Sequence, residues 1–149
     1  MWKSNIVLLL TCIIFALKTG SPLSDPETGN RITRSAVFFG KDSVIVGEKA
    51  KDAAITSPKK VVFEVKREME NDVVYSLKTG KFENNDNKIK GYTPSQISSL
   101  ILTKLKDFSS KIDKVVITVP ALFSERARTA TLDAGKISKL DVELINEPT

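Results

Sequence analysis

Residues 114–149 read KVVITVPALFSERARTATLDAGKISKLDVELINEPT, and this stretch decides the fold class. After the first lysine the run is apolar without alternation, which is typical of a β-strand buried on both faces. A helix begins after Ser124, and a second apolar run follows at 142–145. Strand, helix and strand over this length predict a βαβ unit with parallel strands. Their carboxyl ends, where such sheets bind ligands, would carry Pro120 and the segment 146–149.

Two helices are predicted to cover the sheet. The first begins with a capping box and a proline at its first helical position, in the sequence TPSQ at 93–96. Apolar side chains then recur at helical spacing, at Ile97, Leu100, Ile101, Leu105 and Phe108. The helix after Ser124 carries a second row of apolar side chains along one side, at Ala127, Ala130, Ala134 and Ile137.

Shorter elements are predicted further upstream. The runs 35–39 and 43–46 flank a turn and indicate a β-hairpin, and a short helix is expected over 47–55. A strand is expected at 61–63. Two more are expected at 72–77 and 88–92, joined by an exposed polar loop at 78–87.

The first 21 residues are predicted to be a signal peptide, and residues 22–29 a linker. The run IVLLLTCIIFAL at 6–17 is shorter than the about twenty residues that span a bilayer, and it fits a secretory h-region. A buried N-terminal strand or helix, or a first exon joined in error, remain as alternatives. If the leader is used, the chain enters the endoplasmic reticulum lumen or is secreted; otherwise it is cytoplasmic. No stable membrane span is expected.

Composition excludes several kinds of chemistry. The chain has no histidine and one cysteine, Cys12, which rules out an imidazole base, a four-ligand structural zinc site and an intrachain disulfide. Catalysis would have to use carboxylates, lysines, hydroxyls or a metal held by oxygen ligands. The 23 basic and 18 acidic residues give a net charge of +5, and the basic residues are scattered in short clusters. We therefore expect no nucleic-acid partner.

Seven short motifs along the chain point to a known family. Near the end of the chain they are ITVPA at 117–121, ATLDAG at 130–135 and INEPT at 145–149. Upstream they are NRITRS at 30–35, VGEKAK at 46–51, VFEVKR at 62–67 and YTP at 92–94, where a helix begins. A set of motifs of this length and order is highly specific, and through it residues 30–149 resemble the nucleotide-binding domain of the heat-shock protein 70 (DnaK-type) chaperones.

The resemblance implies an α/β, actin-like ATPase fold. This chain would supply part of the first lobe, a mixed sheet with a terminal βαβ unit and covering helices. It also implies ATP and Mg²⁺ in a cleft between two lobes. Lys66 matches the catalytic lysine near the γ-phosphate, and Glu147 matches the glutamate that helps to place the attacking water and, indirectly through water, the metal. Without the resemblance, Lys66 would be read as a solvated lysine at a strand end and Glu147 as a loop carboxylate.

Three further residues match functional positions of the family. Pro120 and Arg128 match the proline and arginine that relay nucleotide state to the substrate domain. Arg67 matches a cofactor-binding position at the cleft rim. Without the resemblance, Pro120 would be read as a strand-ending proline and Arg128 as an exposed helix arginine. The partners implied for full-length relatives are unfolded polypeptides and co-chaperones, in protein folding and the stress response.

The chain also departs from the family pattern. The hydrophobic leader occupies the place of the first phosphate loop, and the second phosphate loop, adenosine motif and peptide-binding domain lie beyond the point that matches residue 149. Arg34 and Leu122 replace a proline and a tyrosine. In the family the strand matching 114–119 pairs with an N-terminal hairpin, so we expect that strand to have an uncovered edge here.

Together these features predict a heat-shock protein 70-like chaperone fragment, whose full-length relatives bind ATP and use it in protein folding. We expect this chain to bind ATP weakly and to show no useful turnover, so whether it is itself an enzyme stays open. The alternative is a non-enzymatic binding module of the secretory pathway, or a truncated gene product without ATPase activity.

Overall fold

The computed structural model describes residues 5–9, 13–18, 21–22, 24–108 and 114–147. In chain order the strands are β1 (Asn5–Leu9), β2 (Ile13–Lys18), β3 (Ser21–Pro22), β4 (Ile32–Arg34), β5 (Ala36–Phe39), β6 (Val44–Val46), β7 (Val61–Phe63), β8 (Val73–Ser76), β9 (Lys81–Asn84), β10 (Gly91–Tyr92), β11 (Lys114–Val119) and β12 (Asp141–Asn146). The helices are α1 (Glu48–Ala53), α2 (Pro94–Lys106) and α3 (Glu125–Ile137).

The largest sheet is mixed and has six strands in the described residues. Its order is β12–β11–β1–β2–β3, and β4 also pairs with β2. β11 runs parallel to both of its neighbours, β12 and β1, whereas β2 is antiparallel to β1. The predicted βαβ unit is confirmed, because α3 connects the parallel strands β11 and β12. From Val115 to Val119 every residue of β11 is at most 2% exposed, as expected for a strand covered on both faces.

The expectation of an uncovered edge on β11 is wrong for this chain. β1 pairs with that edge, with Ile6 in register with Val116 and Val7 with Ile117. The described parts of the N-terminal hydrophobic segment, β1 and β2, therefore belong to the sheet, which is the alternative of an N-terminal strand. The signal peptide over 1–21 stays a prediction, and Cys12 lies outside the described residues.

The two smaller sheets are antiparallel and have three strands each, in the orders β6–β5–β7 and β10–β8–β9. The predicted hairpin over 35–46 is confirmed by the pairing of β5 with β6. The predicted polar loop at 78–87 is wrong in part, because it contains β9, which pairs with β8. Phe82 of β9 packs edge-on against Tyr75, with ring centroids 5.5 Å apart, and this contact fixes a strand within an otherwise polar stretch. The strand predicted at 88–92 is reduced to β10.

Helix α2 begins as predicted. The Thr93 hydroxyl accepts a hydrogen bond from the Gln96 amide at 3.3 Å, and the Gln96 side chain accepts one from the Thr93 amide at 2.9 Å. Its apolar row is buried against the sheets: Ile97, Ile101 and Leu105 are all at most 3% exposed.

Helix α3 follows its predicted apolar row only in part. Ala127 and Ala134 are fully buried, but Ile137 is 53% exposed. Ten residues after Ala127, Ile137 is rotated about 80° from it around the helix axis, which points its side chain out of the interface. Gly135 brings α3 close to β12, because a Cβ atom at that position would overlap the side chain of Val142.

One apolar core joins the three sheets to α2 and α3. Its buried members come from β5, β7, β8, β11, both helices and the turns beside them: Val37, Phe39, Val62, Val65, Tyr75, Ile97, Ile101, Leu102, Leu105, Val115, Ile117, Val119, Ala134 and Leu140. In the described part of the chain, no helix is long and apolar enough to cross a membrane.

The place of β1 in the sheet can be tested by proline substitution. Val7 lies between Ala16 of β2 and Ile117 of β11, so its amide faces a partner strand. Val7→Pro removes that donor and leaves its acceptor unpaired, and we expect the free energy of unfolding of the full chain to fall by about 1–3 kcal/mol. Val7→Thr, which keeps the amide and a β-branched side chain, is the matched control. Chemical denaturation followed by circular dichroism measures both. Equal stability of Val7→Pro and the parent chain would show that β1 contributes nothing to the fold.

Candidate functional site

The candidate site lies at the carboxyl ends of β11 and β12. The two strands stay in register to their last pair, Val119 with Asn146. The amide of Glu147 then donates to the carbonyl of Val119 at 2.7 Å, which extends the pairing by one bond. Because of that bond, Glu147 is held at the edge of the sheet where parallel strands bind ligands.

Lys66 reaches the same edge from a different part of the chain. It lies in a short 3₁₀ turn, Val65–Glu68, that follows β7. Glu64 begins the turn in the left-handed region, with φ of 53°, which is unfavourable for a residue with a side chain by about 1 kcal/mol. The Glu64 amide donates to the carbonyl of Ser35, the residue between β4 and β5, at 3.3 Å, and this bond holds the bend in place. The consequence is a lysine that is only 6% exposed.

Lys66 and Glu147 form a direct ion pair. The Nζ of Lys66 donates to Oε1 of Glu147 at 2.5 Å and to the carbonyl of Thr118 at 3.4 Å. The ring centroid of Phe123 lies 6.0 Å from the same Nζ. The side chains are 7% and 28% exposed, so Lys66 is screened from water and Glu147 is the partly accessible member. The structure thus brings together the two predicted catalytic residues, 81 positions apart in sequence.

Arg128 connects the same strand ends from helix α3. Its Nη2 donates to Oδ1 of Asn146 at 2.8 Å and to the carbonyl of Ala121 at 3.4 Å. The Pro120 carbonyl accepts from the Phe123 amide at 3.0 Å, which closes the turn after β11. The two predicted relay residues therefore lie at the same strand ends as Glu147. Their relay role stays a prediction.

Arg67 is the predicted site residue that the structure places apart. Its side chain is 70% exposed and pairs with Glu64 at 3.0 Å. It follows Lys66 directly in the chain but points into solvent. Its assignment as a cofactor-binding residue stays a prediction.

Two groups of the site were not predicted from the sequence. The carbonyl of Thr118 contacts Lys66, and the Thr118 hydroxyl is buried without a hydrogen-bond partner among the described residues. A backbone carbonyl carries no residue-type signal, so the sequence could not have indicated it. Phe123 appears in the family motif, but only its position beside Nζ shows that its ring lines the site.

Metal binding by side chains alone finds little support in the described residues. No three histidine, cysteine, aspartate or glutamate side chains among them lie close enough together to hold a metal ion. The indirect contact of Glu147 with the metal, through water, stays a prediction.

The ion pair should be measurable in the stability of the protein. We expect Glu147→Gln to lower the free energy of unfolding by about 1.5–3 kcal/mol, because Lys66 loses a charged acceptor at a buried position. Glu143→Gln is the matched control, since Glu143 is exposed on the same strand, and it should change stability by less than about 0.5 kcal/mol. Denaturation in urea gives both values. A loss no larger for Glu147 than for Glu143 would contradict the geometry.

Comparison with known proteins gives one consistent result. A family described as Hsp70 protein matches residues 21–149. A ribosome-associated molecular chaperone of Nakaseomyces delphensis is 39% identical over 146 residues, covering 83% of this chain and 24% of the relative. The ribosome-associated molecular chaperone SSB of Candida glabrata gives the same identity and coverage. The chain therefore spans about a quarter of the length of these curated relatives.

The fold agrees with these matches. The nucleotide-binding domain of the Hsp70 family has the actin-like ATPase fold, and the mixed sheet, smaller antiparallel sheets and covering helices seen here correspond to part of its first lobe. The family match covers well over half of the chain, including Lys66, Pro120, Arg128 and Glu147. The chain belongs to the heat-shock protein 70 family.

Proposed function

We propose that this chain forms one wall of an ATP site in an Hsp70-type chaperone, and that Lys66 and Glu147 are its reactive side chains. The observation that carries the proposal is the 2.5 Å contact between a buried lysine and a carboxylate at the carboxyl end of a parallel strand pair. Both residues lie within the part of the chain that matches the family.

Lys66 suits a place beside a phosphoryl group. An ammonium is a compact charge with rotatable donors, and phosphoryl transfer depends on positive charge near the group being transferred. Because Lys66 is screened from water, its charge would act more strongly on a bound phosphate than an exposed lysine would. In the structure the Glu147 carboxylate holds that charge in place.

Glu147 suits the ordering of water. Its carboxylate is partly accessible and can accept hydrogen bonds from water bound to Mg²⁺ or from an attacking water. When bound, the ion would neutralise negative charge on the phosphates. The residues present fit this arrangement only in part, since the described part of the chain offers no cluster of carboxylates there.

The described residues do not include a phosphate cradle. Such a cradle needs successive backbone amides that point at the anion, usually in a glycine-rich loop. The glycines with positive φ are Gly29, Gly47 and Gly80, which lie in three separate turns. Lys66 and Glu147 could thus contact a nucleotide without enclosing it, and we infer weak binding by this chain alone.

The chaperone role follows from the family and is proposed on that basis. Both curated relatives carry the name molecular chaperone. Unfolded polypeptides and co-chaperones would then be the partners of the whole protein, with Pro120 and Arg128 transmitting the state of the nucleotide site. Arg128 is suitably placed, because it bonds the ends of both strands that form the site.

A calorimetric titration of the full chain with Mg-ATP tests the proposal. We expect a dissociation constant on the order of 1 mM, and phosphate release no faster than the background. Lys66→Ala should weaken binding by at least about tenfold, because the charge nearest the phosphates is lost. Lys81→Ala is the matched control, because Lys81 is exposed on β9 and has no contact with Lys66 or Glu147, and this variant should bind as the parent does.

Two results would contradict this account. Micromolar binding with steady hydrolysis would mean that the chain holds the triphosphate without a glycine-rich cradle. Equal binding by the Lys66→Ala and Lys81→Ala variants would mean that Lys66 does not face the nucleotide.

A further inference from the structure

A second concave surface lies in the smaller sheets. It is a groove of about 330 Å³, formed by the tip of the β5–β6 hairpin, the segment before β7, and strands β8 and β10. We call it the lysine groove, after three lysines that line it: Lys41, Lys59 and Lys60. Neither Lys66 nor Glu147 lines it.

The floor of the lysine groove is apolar and contains a stack of aromatic rings. Phe39 stacks on Tyr75 and on Tyr92, with ring centroids 5.6 and 4.7 Å apart. Val44 and Leu77 complete the floor and are 43% and 44% exposed. Two large apolar side chains are thus open to solvent above a fixed aromatic stack, a surface that an apolar side chain of a partner could cover.

The rim of the lysine groove carries uncompensated positive charge. Lys41, Lys59 and Lys60 are exposed, and none of them forms an ion pair within the described residues. Within the same part of the chain no carboxylate lines the groove; Asp42, in the hairpin turn, lies outside it. Three like charges around an apolar floor attract an anionic partner.

A buried tyrosine ties the backbone of Lys59 to the floor of the groove. The hydroxyl of Tyr75 donates to the carbonyl of Lys59 at 2.5 Å. Burial raises the pKa of Tyr75, so the hydroxyl keeps its proton and remains a donor at neutral pH. This bond joins the aromatic floor to the backbone of the segment that carries Lys59 and Lys60, and a backbone already held in place lowers the entropic cost of binding.

We propose that the lysine groove binds an acidic polypeptide segment, with one apolar side chain of that segment seated over Val44 and Leu77. The chemistry favours a peptide over a nucleic acid. Single-stranded nucleic acids bind through exposed ring faces on which bases stack. Phe39 and Tyr75 are only 6% and 3% exposed, and Tyr92, which is partly exposed, has the ring of Phe39 stacked on one of its faces. The groove therefore offers no row of open ring faces on which successive bases could stack.

Fluorescence anisotropy with the full chain tests this inference. The probe is a fluorescein-labelled peptide of glutamates around one central phenylalanine. We expect saturable binding that weakens several-fold when salt rises from about 50 to about 200 mM. The Lys59→Glu/Lys60→Glu double variant should weaken binding by at least about tenfold, and Lys41→Glu, across the groove, by a smaller factor. Lys81→Glu should leave it unchanged, since Lys81 is exposed on β9 and does not line the groove.

Controls and competing ligands distinguish the possible outcomes of this experiment. Circular dichroism and thermal unfolding establish that the charge reversals leave the fold intact, and Lys41→Glu provides an independent test if the double variant does not fold. Equal binding of a matched peptide with glutamine in place of glutamate would overturn the role of charge. Displacement of the probe by a thymidine oligonucleotide at lower concentration than by unlabelled peptide would assign the groove to nucleic acid instead. Unchanged affinity in both charge-reversal variants would remove the proposal.

Discussion

The parallel pairing of β11 with β12 is the interaction on which the site depends. Six residue pairs, from Lys114–Asp141 to Val119–Asn146, bring the carboxyl ends of the two strands to the same edge. One further bond, from the Glu147 amide to Val119, fixes the first residue beyond the strand. A slip of one residue would turn every side chain of β12 to the other face and move Glu147 away from Lys66. The close contact of Gly135 with Val142 opposes such a slip, because α3 then fits β12 in one position.

The edge of the sheet that holds Glu147 makes the burial of Lys66 possible. Burying this lysine without that edge would be unfavourable. Removing a lone ammonium from water costs several kcal/mol, and the carboxylate of Glu147 offsets much of that cost. The Thr118 carbonyl and the Phe123 ring also lie close to the Lys66 ammonium. The main effect of the ion pair is therefore on the arrangement of the site and not on the net stability of the fold. It fixes a positive and a negative charge next to each other at the end of the sheet.

The sequence predicted those parts of the fold that have local signals. A capping box at Thr93 and an uninterrupted apolar run before Pro120 were enough to place α2, β11 and the βαβ unit. Strand β9 has no comparable signal, because the contact of Phe82 with Tyr75 joins residues that meet only once the sheet has formed. The pairing of β11 with β1 joins segments that are far apart in the sequence, and hydrophobic periodicity alone cannot assign such a pair. The site was predictable only through the family resemblance, because Lys66 and Glu147 are 81 residues apart.

A double-mutant cycle on Lys66 and Glu147 tests the central claim most directly. The free energies of unfolding of Lys66→Met, Glu147→Gln and the double variant are measured in urea and compared with that of the parent chain. If the pair is one unit at the end of the sheet, the coupling energy should be about 1–3 kcal/mol, and the double variant should be less destabilised than the sum of the single ones. A coupling energy below about 0.3 kcal/mol, with additive single effects, would show that the two side chains do not meet.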